Sequence, residues 1–231
     1  MTFKAYYPLF ADLNGRRCVV IGGGLVAQRK VATLIGYGAV ITVVSPTVTK
    51  RLAGYARQGR IALVKRRFRP GDLAGAWLVY AATDDSAINA LVYRTALKRR
   101  LFANVVDHTP LCTFIAPAIV RRGGLTAAVS TGGGSPSLAK RVRDDIRGIL
   151  AGYAPMLGLL RSLRGVAKRA MPSYGDRKRY FDRLVRGRVL ELMRAGRPRS
   201  ARRAALTLLA HQARNGHQNV PRTPNPPPRT K

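Results

Sequence analysis

Arg16-Arg17-Cys18-Val19-Val20-Ile21-Gly22-Gly23-Gly24-Leu25-Val26-Ala27 puts a glycine-rich turn directly behind an apolar strand and ahead of a helix-like segment. Gly22, Gly24 and Ala27 satisfy the G-x-G-x-x-G/A spacing of dinucleotide-binding units. The three small residues allow, in turn, a tight turn, a close approach of backbone to pyrophosphate, and close packing of helix on strand. A helix starting near Leu25 offers unpaired N–H groups and a positive dipole end to the phosphates. Glycine-rich turns also end many strands for steric reasons alone, so the strand–turn–helix context carries the weight here.

Outward from that turn, short apolar runs alternate with segments of helical spacing, the pattern of βαβ units on a parallel sheet. The runs Arg17–Ile21, Val40–Val44, Ile61–Val64, Trp77–Ala81 and Phe102–Val105 read as strands; Ala27–Tyr37 and Asp85–Arg99 read as helices. The fold class expected is α/β, a Rossmann-like parallel sheet followed by a small further region and a helical C-terminal part. The second strand ends Val44-Ser45-Pro46-Thr47, without the acidic residue that usually bonds a ribose. Ser45 and Thr47 offer hydroxyls in its place, and Lys50 and Arg51 would equally suit a 2′-phosphate. Residue chemistry alone leaves NAD and NADP open.

The expected boundaries are 1–113 for the dinucleotide-binding domain, 114–150 for a dimerisation region, 151–214 for a helical domain and 215–231 for a disordered tail. Within the second, Leu125–Ser130 reads as a strand and Ser137–Leu150 as an amphipathic helix. Apolar stripes around Leu157, Leu160, Leu163 and Leu190-Glu191-Leu192-Met193 read as core or dimer contacts. The last stretch is rich in Pro, Arg and Asn and lacks apolar residues for a core.

The chain carries 42 Lys and Arg against 10 Asp and Glu, a formal charge of +32. Such a field attracts polyanions, so nonspecific nucleic-acid binding is one expectation. The charge is spread along the chain, however, and solvated Arg-rich faces account for most of it. Cys18 and Cys112 lack metal-ligand spacing and read as buried thiols, which fits a cytoplasmic protein. The N-terminal residues do not read as a signal peptide. No apolar run approaches the roughly 20 residues needed to span a bilayer, so no membrane association is expected.

Several segments resemble the precorrin-2 dehydrogenase/sirohydrochlorin ferrochelatase family, the N-terminal module of siroheme synthases. They are Tyr7-Pro8-Leu9-Phe10, Gly22 to Lys30, Ala81-Ala82-Thr83-Asp84-Asp85, Asn104-Val105-Val106-Asp107, Phe114 to Gly123, and Ala128 to Pro136. They occur in order over roughly residues 7–150, and ordinary Rossmann proteins lack the later ones. The resemblance implies NAD as hydride acceptor, a homodimer that swaps its dimerisation region, and precorrin-2 oxidised to sirohydrochlorin. By the same resemblance, cofactor contacts fall on Leu25 and Val26 and on Pro46 and Thr47, with Thr83 and Asn104 near the nicotinamide end. Asp107 matches the family's catalytic carboxylate. Fe2+ is the further substrate that family chelatases would take.

The oxidation removes a hydride and a proton from the macrocycle. The cofactor takes the hydride, and the protein must orient the ring and receive the proton. Asp107, behind the Phe102–Val105 strand, stands where a parallel sheet presents its sites; read alone, it is as readily a turn-capping Asp. His108 beside it is a second acid–base candidate, imidazole being the common general acid and base of protein sites. Ser130, Thr131, Gly132, Gly133 and Ser135 form a turn whose backbone N–H groups suit a substrate carboxylate. The same residues read equally well as a flexible turn leading into a helix with Ser135 as its cap. Arg121, Arg122, Lys140, Arg141 and Arg143 are further electrostatic partners for a polycarboxylate. No His, Cys, Asp and Glu cluster marks a metal site. Two rival readings stay open: a noncatalytic dinucleotide sensor binding nucleic acid through its basic surface, and a dehydrogenase without chelatase activity.

Overall fold

The computed structural model describes residues 5–218, and they divide into two compact units. The first comprises the chain through Ala116 together with Ser130–Ser135. Its five strands are β1 (Arg17–Ile21), β2 (Val40–Val44), β3 (Ala62–Val64), β4 (Leu78–Ala81) and β5 (Phe102–Val105), in the order β3-β2-β1-β4-β5. All the pairings are parallel, and β1 pairs with both β2 and β4. Chain order therefore reverses at β1, which opens a crevice at its C-terminal end.

Alternation along β1 explains why its sequence is unbroken apolar. Val19 and Ile21 pack with Val44, Val79, Ala81, Val92 and Ala96 on one face of the sheet. Cys18 and Val20 pack with Ala27, Val31, Ile41, Val43 and Leu52 on the other. A strand covered on both faces has no polar side to show. Helix α1 (Leu25–Ile35) supplies Ala27, Val31 and Leu34 at helical spacing to the second cluster. Burying a side chain the size of Val31 or Leu34 contributes about 1.5–3 kcal/mol. Between β2 and β3 runs α2 (Lys50–Arg57), a helix that the sequence reading did not include. Leu52 is its buried residue, so its periodicity is faint. Its start is fixed by Thr49, whose hydroxyl accepts from the Leu52 N–H and lies 2.7 Å from Gln28 Oε1. Helix α3 (Ser86–Lys98) starts at Asp85, which accepts from the Ile88 N–H at 3.0 Å.

The second unit comprises Pro117–Val129 and the chain from Pro136 onward. Strands β6 (Ala118–Arg122) and β7 (Leu125–Val129) form an antiparallel hairpin whose turn holds Gly123 at φ +55. The sequence reading found β7 and missed β6, where two arginines end a short apolar run. Helix α4 (Pro136–Ala170) runs straight through the expected boundary at 150/151. Gly148, Gly152 and Pro155 lower its intrinsic propensity, which is why the sequence suggests a stop. Packing overrides them: Met156, Leu159, Leu163 and Ala167 bury one face of the helix. They meet α5 (Tyr174–Arg186), α6 (Arg188–Arg194) and α7 (Pro198–Gln218) around fully buried Tyr180, Leu184, Ala201 and Ala205. The Tyr180 hydroxyl donates to the Ala205 carbonyl at 3.0 Å. Helix α7 continues to Gln218, so residues 215–218 are helical rather than the start of a disordered tail. The rest of that expected tail, 219–231, lies outside the described residues. No described helix is long and apolar enough to cross a membrane.

Candidate active site

Each glycine of the first turn is small for a different reason. Gly22 has φ +116, and a Cβ there would lie 2.2 Å from the Ala82 carbonyl oxygen at the exit of β4. A Cβ on Gly23 would lie 1.9 Å from the Thr47 carbonyl oxygen and 2.8 Å from Ser45 Oγ. Gly23, which the fingerprint leaves unspecified, is thus required by the loop after β2. That loop is tied back by the Thr49 N–H to the Gly23 carbonyl at 3.0 Å. A Cβ on Gly24 would meet nothing within 4 Å. Gly24 is the N-cap of α1 and brings no side chain to bond the first-turn N–H groups. Leu25 is exposed, Val26 half-buried and Ala27 fully buried against the sheet. This open cradle at a helix N-terminus, with a close-packed turn behind it, fits a dinucleotide pyrophosphate.

Ser45 is buried, and its hydroxyl donates to the Thr47 carbonyl at 2.7 Å, so its proton holds the loop. Pro46 and Thr47 lie exposed beyond it. After β4, Thr83 is locked to α3: its hydroxyl lies 2.9 Å from Asn89 Oδ1, and Asn89 Nδ2 donates to the Thr83 carbonyl at 2.8 Å. Asn89 was not singled out from sequence, because nothing local ties it to Thr83. Asn104 sits in β5 opposite Tyr80 and is buried. Its side-chain amide donates to the Phe114 carbonyl at 3.0 Å and so turns into the fold. Over the Tyr80 ring lies Lys30 Nζ, 4.9 Å from the centroid. Burial, with Arg29 second, lowers the Lys30 pKa, while Asp107 and the Cys112 thiol oppose that shift.

Asp107 follows β5 on an exposed turn, with the left-handed φ of +58 that non-glycine residues rarely adopt. The Val106 N–H donates to the Ala81 carbonyl at 2.9 Å and the His108 N–H to the Val105 carbonyl at 3.2 Å, so backbone bonds bracket it. His108 is exposed next to it. The structure also brings the second glycine-rich turn to this loop. A Cβ on Gly133 would lie 3.2 Å from both Thr109 Cγ2 and Thr109 Oγ1.

Within that turn the expectation of several free N–H groups needs correction. The Gly132 N–H donates to Ser130 Oγ (3.1 Å), the Gly134 N–H to the Thr131 carbonyl (3.0 Å) and the Ser135 N–H to Thr131 Oγ1 (2.9 Å). Compact turns satisfy their own backbone groups first. The Ser130 hydroxyl, acting there as acceptor, keeps its proton to donate.

Of the basic candidates, Arg121 and Arg122 lie on β6, and Lys140, Arg141 and Arg143 lie on α4, in the second unit. Arg141 pairs with Asp145 at 3.3 Å and Arg143 with Asp144 at 2.8 Å, both on their own helix. Among the described residues no three His, Cys, Asp or Glu side chains converge as a metal site.

Three family models match the chain: a putative NAD(P)-binding family over residues 9–118, the sirohaem biosynthesis protein central region over 122–148, and the sirohaem synthase dimerisation region over 152–209. The dimerisation name thus attaches to 152–209, C-terminal to the 114–150 stretch given that role from sequence. A siroheme synthase of Azotobacter vinelandii is 40% identical over 209 residues, 90% of this chain and 45% of that protein. Siroheme synthase 3 of Aeromonas hydrophila is 37% identical over 217 residues, 93% of this chain and 46% of that protein. The chain therefore spans about half the length of these curated relatives. Among solved structures, SirC, a precorrin-2 dehydrogenase, superposes with a TM-score of 0.74 at 26% identity, covering 89% of this chain and 100% of that one. With these three matched regions in order and relatives of about 40% identity along nine-tenths of its length, the chain belongs to the precorrin-2 dehydrogenase/sirohydrochlorin ferrochelatase family, matching part of the longer siroheme synthases.

Proposed function

We propose that this protein oxidises precorrin-2 to sirohydrochlorin with NAD, as a cytoplasmic homodimer. The observation that carries the reading is that one unit holds the Gly22–Ala27 turn packed on the exit of β4, the Asp107 turn bonded to that same strand end, and the Ser130–Ser135 turn in contact with Thr109, supported by the likeness to a precorrin-2 dehydrogenase. NAD, when bound, supplies the hydride acceptor. Leu25, Val26 and Ala27 present first-turn N–H groups to its pyrophosphate, and Gly22 and Gly24 let the backbone approach. Pro46 and Thr47 border the ribose. Ser45 shapes that border through its bond to Thr47, while Thr83 and Asn104 act at the nicotinamide end, where their own hydrogen bonds hold them rigid.

Asp107 is the base. Its carboxylate is exposed, on a turn pinned by backbone bonds, and takes the proton the macrocycle loses as the hydride leaves. Ser130 and Thr131, with Gly132, Gly133 and Ser135 shaping their turn, bind a substrate carboxylate. The Ser130 hydroxyl is the donor best placed for it, since its oxygen already orders the turn. Fe2+ is a further substrate in this reading: the same carboxylate removes the pyrrole protons that metal insertion displaces.

Anaerobic turnover of precorrin-2 with NAD, followed by sirohydrochlorin absorbance, tests the reading in wild type and Asp107→Ala. Rapid turnover that the variant loses by about 100-fold or more is expected. Undiminished turnover in the variant removes Asp107 as base, and no turnover in the wild type removes the dehydrogenase reading. Adding Fe2+ to the completed reaction reads chelation as siroheme absorbance, and light scattering reads the dimer.

A further inference from the structure

The turn that carries Asp107 is closed from inside the fold by a side chain the reaction does not use. Cys112 is 2% exposed. Its Sγ lies 3.3 Å from the Val105 carbonyl oxygen and 3.4 Å from the His108 carbonyl oxygen, so one thiol proton stands between two acceptors. Those two carbonyls lie on either side of Asp107 in the chain. Asn104 Nδ2 lies 3.6 Å from the same sulfur, and the backbones of Asn104 and Cys112 pair as an isolated antiparallel bridge. The Cys112 N–H donates to the Thr109 carbonyl at 3.2 Å, which ties the far side of the loop.

We infer that Cys112 is a positioning residue for Asp107: its buried thiol, bonded across the Val105 and His108 carbonyls, holds the turn that presents the carboxylate. The inference rests on the reading of Asp107 as base. Three features favour it over simple space-filling. A space-filling residue would have no need of a donor, whereas this one sits within reach of two carbonyls. The residue it brackets holds a left-handed backbone at φ +58, a conformation open to aspartate that the bonds on either side of it keep in place. The sulfur also lies 3.6 Å from the amide of Asn104, which the Phe114 carbonyl holds independently at 3.0 Å, so the thiol rests against a side chain that is already fixed. Tight burial makes the thiol a structural donor and keeps it from solvent.

The test compares Cys112→Val, which removes the donor with a somewhat larger apolar side chain, and Cys112→Ala, which removes it with a smaller one, with Cys112→Ser, which keeps a donor at nearly the size of alanine, in wild-type and Asp107→Ala backgrounds. Cys112→Val and Cys112→Ala should each lower kcat about tenfold or more, leave KM for NAD within about threefold, and have no further effect on the residual rate of Asp107→Ala. Cys112→Ser should recover kcat to within about threefold of wild type. A Cys112→Val or Cys112→Ala enzyme with wild-type kcat, or a serine variant no better than alanine, overturns the inference while Asp107 stands as base. Wild-type turnover in Asp107→Ala overturns the reading of the base, and this inference with it. Cys112→Ala stands alone in every comparison if thermal melting shows that the valine variant does not fold.

Discussion

Thr109 and Gly133, 24 positions apart, touch so closely that any side chain on Gly133 would press into the Thr109 methyl and hydroxyl at 3.2 Å. Gly133 also has φ +92, which an L side chain resists whatever the space. This contact sets the Asp107 loop beside the Ser130–Ser135 turn. Gly133→Ala should therefore lower turnover about tenfold or more, with strain on the order of 1–3 kcal/mol in the turn. Thr109→Ala in the same chain relieves the contact but not the φ, so it should restore turnover only in part. Steady-state kinetics with thermal melts of both variants check this, and unchanged kinetics in Gly133→Ala would sink it.

Gly22 and Gly24 should separate fold from cofactor. A Cβ on Gly22 meets the Ala82 backbone at 2.2 Å, so Gly22→Ala should destabilise the unit by roughly 2–4 kcal/mol even without ligand. Gly24→Ser adds a Cβ in open space and a good helix cap, so the free protein should melt at or above the wild-type temperature. Its NAD affinity should nonetheless fall by about tenfold or more, because the added side chain fills the approach to the pyrophosphate. Equal NAD affinity for Gly24→Ser and wild type by fluorescence titration would refute the cradle.

Stability should decline on the alkaline side through a buried thiol. Burial raises the Cys18 pKa from its ordinary 9.0 to about 11. Because the folded value lies above the unfolded one, this contribution is whole below pH 9.0 and is lost as pH rises toward about 11. It amounts to about 2–3 kcal/mol. Burial likewise raises Tyr180 to about 12, extending the decline above its ordinary 10.0. Lys30 acts in the opposite sense, since burial lowers its pKa and its neutral form favours the fold as pH rises. Urea melts of wild type and Cys18→Ala across this range cancel the shared groups. The gap between the two should close by that amount, and a constant gap would disprove it.

In the helical unit, Tyr180→Phe should cost about 0.5–1.5 kcal/mol, because it removes a buried hydrogen bond to the Ala205 carbonyl and no packing. Tyr180→Ala should cost about 3–5 kcal/mol through the cavity it leaves. Calorimetry checks the ratio, and comparable losses in the two variants would contradict this account of the core.

Much of this architecture is written locally. The five strands of the parallel sheet, the glycine-rich turn and the two helices α1 and α3 follow from apolar runs, periodicity and turn residues, because a doubly covered strand and a close-packed helix each impose a pattern on a few consecutive positions. Asp107 and the second glycine-rich turn were singled out by resemblance, since read locally each is as readily a capped turn. What each residue does with its hydrogen bonds was not legible. Ser45 gives its proton to Thr47, Thr83 is tied to Asn89, and three N–H groups of the Ser130–Ser135 turn close on the turn itself. None of these partnerships leaves a spacing to read.

By itself, the sequence pointed to an α/β dinucleotide-binding fold, since close backbone approach admits few residues at Gly22, Gly24 and Ala27, and the siroheme family entered only through the resemblance of the later segments. Tertiary structure alone decided that α4 runs unbroken past Pro155, because burial of Met156, Leu159 and Leu163 outweighs the local cost of proline and glycine. It alone set Thr109 against Gly133 and Cys112 across the Asp107 turn. Those contacts depend on distances through space between backbone atoms, and a one-dimensional pattern holds no record of them.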